Sequence, residues 1–357
     1  MVPPVGYDAL LLVSFGGPER AEDVMPFLRR VTAGRGIPED RIAAVAEHYF
    51  AAGGGSPVNA RCRELMASLQ HELADLDLRL YWGNRNWHPF LEDTVAEMRY
   101  DRVERALAFV TSAYGGYSSC RQYLDDIAAA RAKVGAGAPE IDKLRLYYNH
   151  PGWVGPWATS LLTALEACRA AFPGAPPSPE SPVEVLFSAH SIPLSLARTS
   201  PYAEHVNEAA RLVAHMAGTS SWQLVWQSRS GSRVSPWLGP DVCDVIEASR
   251  APAVVVVPIG FACENMEVVH DLDVEAAAVA KKSGAHFERA ATVSSSPAFV
   301  RMVGQLVQER LGLSHGPLAL GALGPWPDTC PAGHCPAGRP AREASQTSPD
   351  CTTGHTA

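Results

Sequence analysis

Short apolar runs alternate along this chain with longer segments in which apolar residues recur every three or four positions. The runs have the length of β-strands and are rich in Val, Leu and Ile, whereas the periodic segments have the length of amphipathic helices. The predicted strands are residues 8–15, 79–83, 105–112, 143–149, 183–190, 222–227, 253–259 and 286–292. The predicted helices include residues 20–32, 61–74, 89–98, 123–134, 154–172, 201–217, 240–248 and 297–311.

This alternation predicts an α/β fold with two doubly wound, Rossmann-like domains and a cleft between them, because strands that are apolar on both faces form parallel sheets covered by helices. Two series of strands meet near residue 150, so we expect an N-terminal domain at 1–150 and a C-terminal domain at 151–295. The remaining segments are a predicted loop at 173–182, a helix at 296–313 that packs back on the first domain, and a flexible, cysteine-containing tail at 314–357.

Composition and charge exclude some classes of function. The net charge of −8 at pH 7 argues against nucleic acid as a partner, because nucleic acid requires a basic face. No run approaches the roughly 18 apolar residues of a membrane span, and no basic start precedes an apolar core as in a secretory signal. We therefore expect a cytoplasmic protein with no transmembrane segment. Lysine is rare, so a carboxylate-bearing ligand would meet mainly arginine.

His190 stands at the carboxyl end of a predicted strand, where ligands of open α/β sheets bind. Its imidazole could take up a proton near neutral pH or bind a divalent metal ion. It could equally be a loop histidine that makes a single hydrogen bond. The pattern alone leaves both interpretations open.

Three carboxylates, Glu267, Asp271 and Glu275, are spaced at i, i+4 and i+8, which places them on one face of a helix. Like charges at this spacing repel each other. One interpretation is an acidic exposed face near a helix N-terminus, where the helix dipole favours carboxylates. The other is a ladder that leads metal ions in or protons out.

Five motifs occur here in the order in which they occur in ferrochelatases. They are residues 14–19 (SFGGPE), 53–57 (GGGSP), 188–193 (SAHSIP), 227–229 (QSR) with 236–240 (PWLGP), and 258–261 (PIGF) leading to Glu267. Each motif alone is weak, but five in register, spread over residues 7–312, resemble the ferrochelatase family and most closely its actinobacterial coproporphyrin III enzymes.

The resemblance implies a metal chelatase that inserts ferrous iron into a porphyrin held between two chelatase-type domains. It implies that His190 and Glu267 are the catalytic pair, face each other across the macrocycle and bind iron, with Asp271 and Glu275 as further metal ligands. Insertion exchanges two N–H protons for one dication, so a base and an anionic entry path suit the reaction. Which of the pair removes the first proton stays open.

Substrates of the family are protoporphyrin IX, with two propionates, and coproporphyrin III, with four. Similarity to the actinobacterial enzymes implies coproporphyrin III as substrate, iron-coproporphyrin III as product, and other haem-pathway enzymes as partners. Phe15 stands where some bacterial relatives carry a tyrosine. The expected substrate contacts are Phe15, Arg30, Ser56, Tyr117, Ser118, Tyr123 and Trp237, with Arg29, Arg35, Trp87, Tyr114, Ser119 and Arg121 as further residues of the cleft or its rim.

Cys330 and Cys335 lie close together near the end of the chain, and Cys351 follows further on. Closely spaced cysteines in a cytoplasmic protein indicate metal or iron–sulfur ligation more than a disulfide. Some ferrochelatases hold a [2Fe–2S] cluster with one mid-chain and three C-terminal cysteines, which suggests Cys168 as the mid-chain ligand. The spacing here departs from the tight family pattern, and a tail whose thiols bind nothing is the alternative.

Other functions are compatible with parts of this sequence pattern. A protoporphyrin IX ferrochelatase would share all of them, whereas a non-catalytic tetrapyrrole carrier could dispense with the carboxylate ladder. A cobalt or nickel chelatase for a more reduced tetrapyrrole fits the motifs less well. The glycine run at residues 53–55 follows a helical stretch rather than a strand, so it does not match the dinucleotide-binding fingerprint.

Overall fold

The computed structural model describes residues 6–171, 183–230, 236–331 and 333–337 of the 357-residue chain. Within these residues, eight strands form two four-stranded sheets in which the paired strands are parallel. The predicted loop 173–182 and Cys351 lie outside the described residues.

The first sheet has the strand order β2-β1-β3-β4. Its central strand, β1, is buried at every position, and its side chains belong alternately to two different apolar clusters. Both faces of the sheet are therefore covered, as expected of a parallel sheet. The strands are β1 (Ala9–Ser14), β2 (Arg79–Asn84), β3 (Arg105–Val110) and β4 (Glu140–Lys143).

The second sheet repeats this topology with the order β6-β5-β7-β8. The five residues of β7 are all buried, because four valines and an alanine pack between helices on both faces. The strands are β5 (Val183–His190), β6 (Gln223–Gln227), β7 (Ala253–Val257) and β8 (His286–Arg289).

Helices connect these strands and cover the sheets. In the first half they are α1 (Ala21–Thr32), α2 (Glu39–Ala51), α3 (Val58–Glu72), α4 (Leu91–Tyr100), a π-helix π1 (Tyr117–Arg121) and α5 (Gln122–Val134). In the second half they are α6 (Pro151–Ala171), α7 (Leu194–Ala197), α8 (Tyr202–Met216), α9 (Val242–Ala248), α10 (Met266–Val268), a second π-helix π2 (Val269–Ala276), α11 (Ala277–Lys282) and α12 (Pro297–Arg310).

The two halves share one large apolar cluster, so they are packed against each other rather than merely linked. Trp153 and Trp157 of α6 are fully buried in it, and α12 packs against both α6 and α3. A buried ion pair supports the same joint: Arg145 Nε donates to Glu309 Oε2 at 2.7 Å.

The predicted α/β architecture of two doubly wound parallel sheets is confirmed, but one strand was misplaced. The predicted strand 143–149 is wrong, because β4 is Glu140–Lys143 and the apolar run after it has left the sheet. Tyr147 and Tyr148 are buried in the joint between the halves, where the Tyr147 hydroxyl donates to the Val110 carbonyl at 3.0 Å. The run is apolar because it packs under helices, which periodicity cannot distinguish from a strand.

Residues 314–331 and 333–337, the first part of the predicted flexible tail, follow a defined path along the first half and α8. Arg145 Nη2 donates to the Leu318 carbonyl at 2.8 Å, and Asn149 Nδ2 donates to the Gly324 carbonyl at 2.7 Å. The exact limits of the four predicted chain regions stay predictions. Among the helices described, none combines the length and the apolar character that crossing a bilayer requires.

Candidate active site

His190 is the last residue of β5, at the edge where the second sheet opens toward the first half. Its Nδ1 donates a hydrogen bond to the Ser191 carbonyl, because a carbonyl oxygen can only accept. Its other ring nitrogen, Nε2, faces Glu267 Oε1 at 3.4 Å. The Tyr202 hydroxyl donates to the His190 carbonyl at 3.0 Å and holds the strand end. These contacts leave Nε2 as the nitrogen that exchanges protons or binds a ligand.

The glycine after β7 explains how the Glu267 segment comes so close to this strand end. A side chain at Gly260 would place its Cβ 2.7 Å from Ala189 Cα. Only glycine therefore allows the loop that leads to Glu267 to pass directly against β5.

The charge of Glu267 dominates the proton affinity of His190. Burial lowers the pKa of His190, but the Glu267 carboxylate, the Ser191 carbonyl and Asp271 together raise it to about 9. In the ligand-free cleft at neutral pH, the imidazole is therefore protonated and paired with Glu267. A cation that neutralises Glu267 would remove the main cause of this high pKa.

Glu267 lies on the short α10, which continues directly into π2. Asn265 caps the segment, its Oδ1 accepting from the Val268 amide at 2.9 Å. A π-helix has more than four residues per turn, so Asp271 and Glu275 stack behind Glu267 in one column more closely than in an α-helix. The i, i+4, i+8 spacing thus indicated the column, but nothing in the pattern indicated the π-helix.

Asp271 is the most enclosed carboxylate of the column, with 19% of its side chain exposed, against 55% for Glu275. Burial and the neighbouring Glu267 and Glu275 charges raise the pKa of Asp271 to about 6, although a hydrogen bond from the Ser228 hydroxyl opposes the shift. Gln227 Nε2 donates to the Glu267 carbonyl at 3.0 Å and contacts Asp271 Oδ2 at 3.4 Å. Gln227 and Ser228 belong to the motif at residues 227–229, but the sequence did not predict a role for either side chain.

The first half contributes the helix α2 to this site. The sequence pattern did not predict this helix. Its His48 ring stacks on the His270 ring of π2, with 3.6 Å between ring centres and 5° between planes. Burial and the negative charges of Glu267 and Asp271 raise the pKa of Tyr49 well above its ordinary value. α2 therefore lies over the carboxylate column from the opposite side of the cleft.

Phe15 and Tyr123, two predicted substrate contacts, flank one guanidinium in the first half. The Arg85 Cζ lies 4.5 Å from the Tyr123 ring centre and 5.7 Å from that of Phe15, and Arg85 also pairs with Asp126. Phe15 is 42% exposed, whereas Tyr123 is buried beneath it. Phe15 is thus available to a ligand, and Tyr123 supports the guanidinium from below.

The other predicted contacts occupy several positions. Ser56 is half-buried and its amide donates to the Pro18 carbonyl at 2.7 Å, while Trp237 pairs with Pro193 close to His190. Tyr117 and Ser118 lie on π1, which follows β3. The Arg30 guanidinium already covers the Phe90 ring at 4.2 Å.

Tyr114, expected in a cleft wall, is a core residue instead. Its side chain is 1% exposed and its hydroxyl donates to the Ile259 carbonyl at 2.6 Å.

The described cysteines group differently from the prediction. Cys168 is fully buried within α6, and its electrostatic neighbour is Glu288 rather than a thiol of the tail. Cys120 of π1 instead lines a cavity of about 370 Å³ together with Cys330 and Cys335. Among the described residues, Cys120 rather than Cys168 is therefore the mid-chain cysteine that lies with Cys330 and Cys335.

Polar and cationic groups surround this cysteine cavity. Trp326 Nε1 donates to Cys330 Sγ at 3.3 Å, and His334 Nδ1 lies 2.9 Å from Cys335 Sγ. Burial raises the pKa of Cys120, which the Lys143 ammonium opposes. Thiols in such a setting can become thiolate ligands when a metal supplies the compensating charge.

The chain resembles known proteins over most of its length. A ferrochelatase family model matches residues 7–311. The chain is 46% identical to a ferrochelatase of Rhodopirellula baltica and 45% identical to a coproporphyrin III ferrochelatase of Streptomyces coelicolor, each match covering 94% of both chains. It is 48% identical to a coproporphyrin III ferrochelatase of Nocardia farcinica, over 88% of this chain and 91% of that protein.

Among solved structures, SirB from Bacillus subtilis with Fe3+ superimposes with a TM-score of 0.51 at 13% identity, covering 88% of this chain and 99% of SirB. A sirohydrochlorin chelatase SirB with cobalt gives a TM-score of 0.50 at 11% identity, covering 86% and 96%. At these identities the likeness concerns the fold alone.

Proposed function

Because this chain belongs to the ferrochelatase family, a family of metal-inserting enzymes, we propose that it inserts ferrous iron into coproporphyrin III as a step of haem biosynthesis. The observation that carries the proposal is the pairing of His190 Nε2 with Glu267 Oε1 at 3.4 Å, at the head of a carboxylate column. The named relatives from Streptomyces and Nocardia support coproporphyrin III as the porphyrin.

His190 and Glu267 act as one unit in the proposed reaction. Two pyrrole N–H bonds break, the two protons leave, and Fe2+ takes their place on the four nitrogens. When the dication meets Glu267, the carboxylate holds the His190 proton less strongly, and that proton leaves to solvent. The vacated Nε2 can then accept a proton from the porphyrin. The pair thus couples metal arrival to deprotonation.

The carboxylate column supplies a path on which Fe2+ enters or protons leave. Glu275 is the exposed end, Asp271 the enclosed middle and Glu267 the inner end. A pKa of about 6 lets Asp271 exchange protons near neutral pH. Carboxylate oxygens also bind divalent ions such as Fe2+.

The porphyrin would lie between the two strand-end surfaces, with Phe15 and Trp237 against its plane and polar groups around its rim. The seven residues predicted from the resemblance remain the proposed contacts: Phe15, Arg30, Ser56, Tyr117, Ser118, Tyr123 and Trp237. Tyr123 would act from below, through Arg85, since its own ring is buried.

Anaerobic insertion of ferrous iron, followed by the absorption change of the porphyrin, tests this function. We expect faster conversion of coproporphyrin III than of protoporphyrin IX, and a rate loss of about 10³-fold in His190→Ala. The exposed His215, at the end of α8, supplies a matched control, and His215→Ala should convert at the wild-type rate.

Other outcomes identify the rivals. A preference for protoporphyrin IX would show that this porphyrin, rather than coproporphyrin III, is the substrate. If the wild type binds both porphyrins but inserts no iron, the protein is a tetrapyrrole carrier, and the proposal that it is an enzyme is wrong.

The cysteine cavity supports a second proposal, a [2Fe–2S] cluster held by Cys120, Cys330, Cys335 and Cys351, where Cys120 replaces Cys168. Three of these thiols line one cavity, as ligands of a single cluster must. When bound, the cluster would supply a rigid link between π1 and the tail.

Anaerobic purification tests the cluster through visible absorption and iron and sulfide content. Cys120→Ser should remove the absorption, whereas the matched variant Cys168→Ser should retain it. Equal iron and sulfide in both variants, or none in the wild type, would overturn this ligand set.

We also propose that the protein works in the cytoplasm beside other haem-pathway enzymes. The absence of a membrane-spanning helix from the described residues is consistent with this location. Cell fractionation checks it, and recovery with the membrane fraction at high salt would contradict it.

A further inference from the structure

Trp326, a residue of the tail, has no part in the proposed iron insertion so far. It is half-buried against the apolar cluster that the two halves share. The rings of Trp326 and His205 meet in a T-shaped contact, with 4.5 Å between ring centres and 76° between planes. Trp326 therefore joins the tail to α8, the helix that carries His205.

Hydrogen bonds fix the tail on both sides of this ring. On one side, the fully buried Asn149 donates from Nδ2 to the Gly324 carbonyl at 2.7 Å and accepts at its own carbonyl from the Leu320 amide at 2.8 Å. On the other side, the Trp326 indole N–H donates to Cys330 Sγ at 3.3 Å. The position of the Trp326 ring is therefore set by the path of the tail.

His205 in turn holds the backbone just before π1. Its Nδ1 accepts from the Gly115 amide at 3.2 Å, and a Cβ at Gly115 would lie only 3.2 Å from the same nitrogen. Burial and the nearby His334 keep the pKa of His205 low, so the ring is neutral at pH 7 and Nδ1 can accept. The ring also stacks on Tyr148, with 4.0 Å between ring centres, so its packing on Tyr148 and Trp326 fixes its orientation.

Gly115 leads directly into the first turn of π1. The Gly116 carbonyl accepts from the Cys120 amide at 3.1 Å and so closes this turn. π1 carries Tyr117 and Ser118, two of the proposed porphyrin contacts. A displacement of Gly115 would therefore move both side chains relative to the cleft.

We infer that Trp326 is a positioning residue for porphyrin binding, which acts through His205 on π1. The inference rests on the proposed function, because it takes Tyr117 and Ser118 as porphyrin contacts. The contact between Trp326 and His205 joins two rings and needs no metal cluster. Without the Trp326 ring, His205 and the start of π1 gain freedom, and the porphyrin must then order them when it binds, which weakens binding.

Binding of coproporphyrin III without added iron, followed by the absorption of the porphyrin itself, tests the inference. Trp326→Ala should raise the Kd about tenfold, whereas Trp326→Phe, which keeps a ring against His205, should stay within about twofold of the wild type. Leu323→Ala removes a tail side chain that is 48% exposed and is the matched control, with an unchanged Kd. In turnover, Trp326→Ala should raise the KM for porphyrin and leave both the KM for ferrous iron and kcat at saturating porphyrin unaltered.

A double-mutant cycle with His205→Phe shows whether the effect passes through His205. The phenyl ring stays against Tyr148 but cannot accept from the Gly115 amide, so this variant alone should also raise the Kd about tenfold. Adding Trp326→Ala to it should then raise the Kd less than about threefold further, because the two substitutions break one connection.

An unchanged Kd in Trp326→Ala would overturn the inference, as would fully additive effects of the two substitutions or equal weakening by Trp326→Phe and Trp326→Ala. Visible absorption of each variant is recorded with the Kd, and weakening that occurs only where the cluster absorption is lost would assign the effect to the cluster instead. A wild type that binds coproporphyrin III but inserts no iron would refute the proposed function and leave this binding test standing.

Discussion

The two halves of this protein have the same strand order but different chemistry at their strand ends. In each half a central strand pairs on both sides, and a π-helix follows the third strand of the half, π1 after β3 and π2 after β7. In the second half the central strand ends in His190 and the π-helix carries carboxylates. In the first half the central strand ends at Ser14, Phe15 follows it directly, and the π-helix carries Tyr117 and Ser118.

This difference assigns unequal tasks to equivalent positions. The second half presents an imidazole with a raised pKa and a column of carboxylates, which can move protons and metal ions. The first half presents an exposed aromatic ring above a guanidinium, which can hold a flat anionic ligand. The fold repeats, and in the proposed function the second half is the reactive wall of the cleft and the first half is its binding wall.

The largest effect is expected from removing the charge of the reactive wall. Glu267→Gln deletes the main cause of the high His190 pKa and a proposed iron ligand, so kcat should fall about 10³-fold. Glu247→Gln, an exposed glutamate on α9 of the same half, should leave kcat at the wild-type value. Steady-state iron insertion measures both, and a loss below tenfold in Glu267→Gln would remove this residue from the reaction.

The packing between the two halves can be weakened by a substitution that leaves the residues of the candidate active site intact. Arg145 and Glu309 are 5% and 10% exposed, so Arg145→Ala leaves an uncompensated buried carboxylate. We expect a loss of about 4 kcal/mol in the free energy of unfolding, measured with urea. Arg29→Ala breaks an exposed pair with Glu39 and should cost less than about 1 kcal/mol. Equal losses in the two variants would contradict the role of the joint.

A third test uses pH at the same joint. Burial and the nearby His334 lower the pKa of His205 from 6.5 to about 4, and its Nδ1 accepts from the Gly115 amide at 3.2 Å. Below pH 6.5 the unfolded chain takes up the proton first, so stability is complete above pH 6.5 and is lost as pH falls toward 4. The loss attributable to this ring is about 3 kcal/mol.

Urea unfolding of wild type and His205→Phe between pH 7 and 4.5 isolates this contribution. The phenyl ring preserves the stack on Tyr148 but cannot titrate, so the stability difference between the two proteins should shrink as pH falls. His150, whose pKa is about 3, titrates equally in both proteins and cancels. A constant difference across this range would show that His205 does not titrate as described.

The sequence pattern identified the parallel sheets and the column of carboxylates because both leave local signals. A buried parallel strand is a continuous apolar run, and Glu267, Asp271 and Glu275 repeat at a helical spacing. The stack of His48 on His270 leaves no such signal, because the two residues are far apart in the chain and meet only through the packing of α2 against π2.

The spatial grouping of the cysteines and the position of β4 could not be predicted from the sequence for related reasons. Cys168 and Cys120 are both buried cysteines within helical segments, and only the path of the tail brings Cys330 and Cys335 to Cys120. The run after Lys143 is apolar because it fills the joint between the halves, which looks like a strand when read locally. Contacts between distant segments decide such cases, and one sequence does not contain them.

The smallest effect is expected from the binding wall. Phe15→Ala removes the exposed ring above Arg85, so the KM for porphyrin should rise about tenfold, which is about 1.4 kcal/mol, while kcat at saturating porphyrin falls less than threefold. Phe15→Tyr keeps the ring and should retain the wild-type KM. A fall in kcat with an unaltered porphyrin KM in Phe15→Ala would place this residue in the reaction, and the two walls would then share one task instead of dividing it.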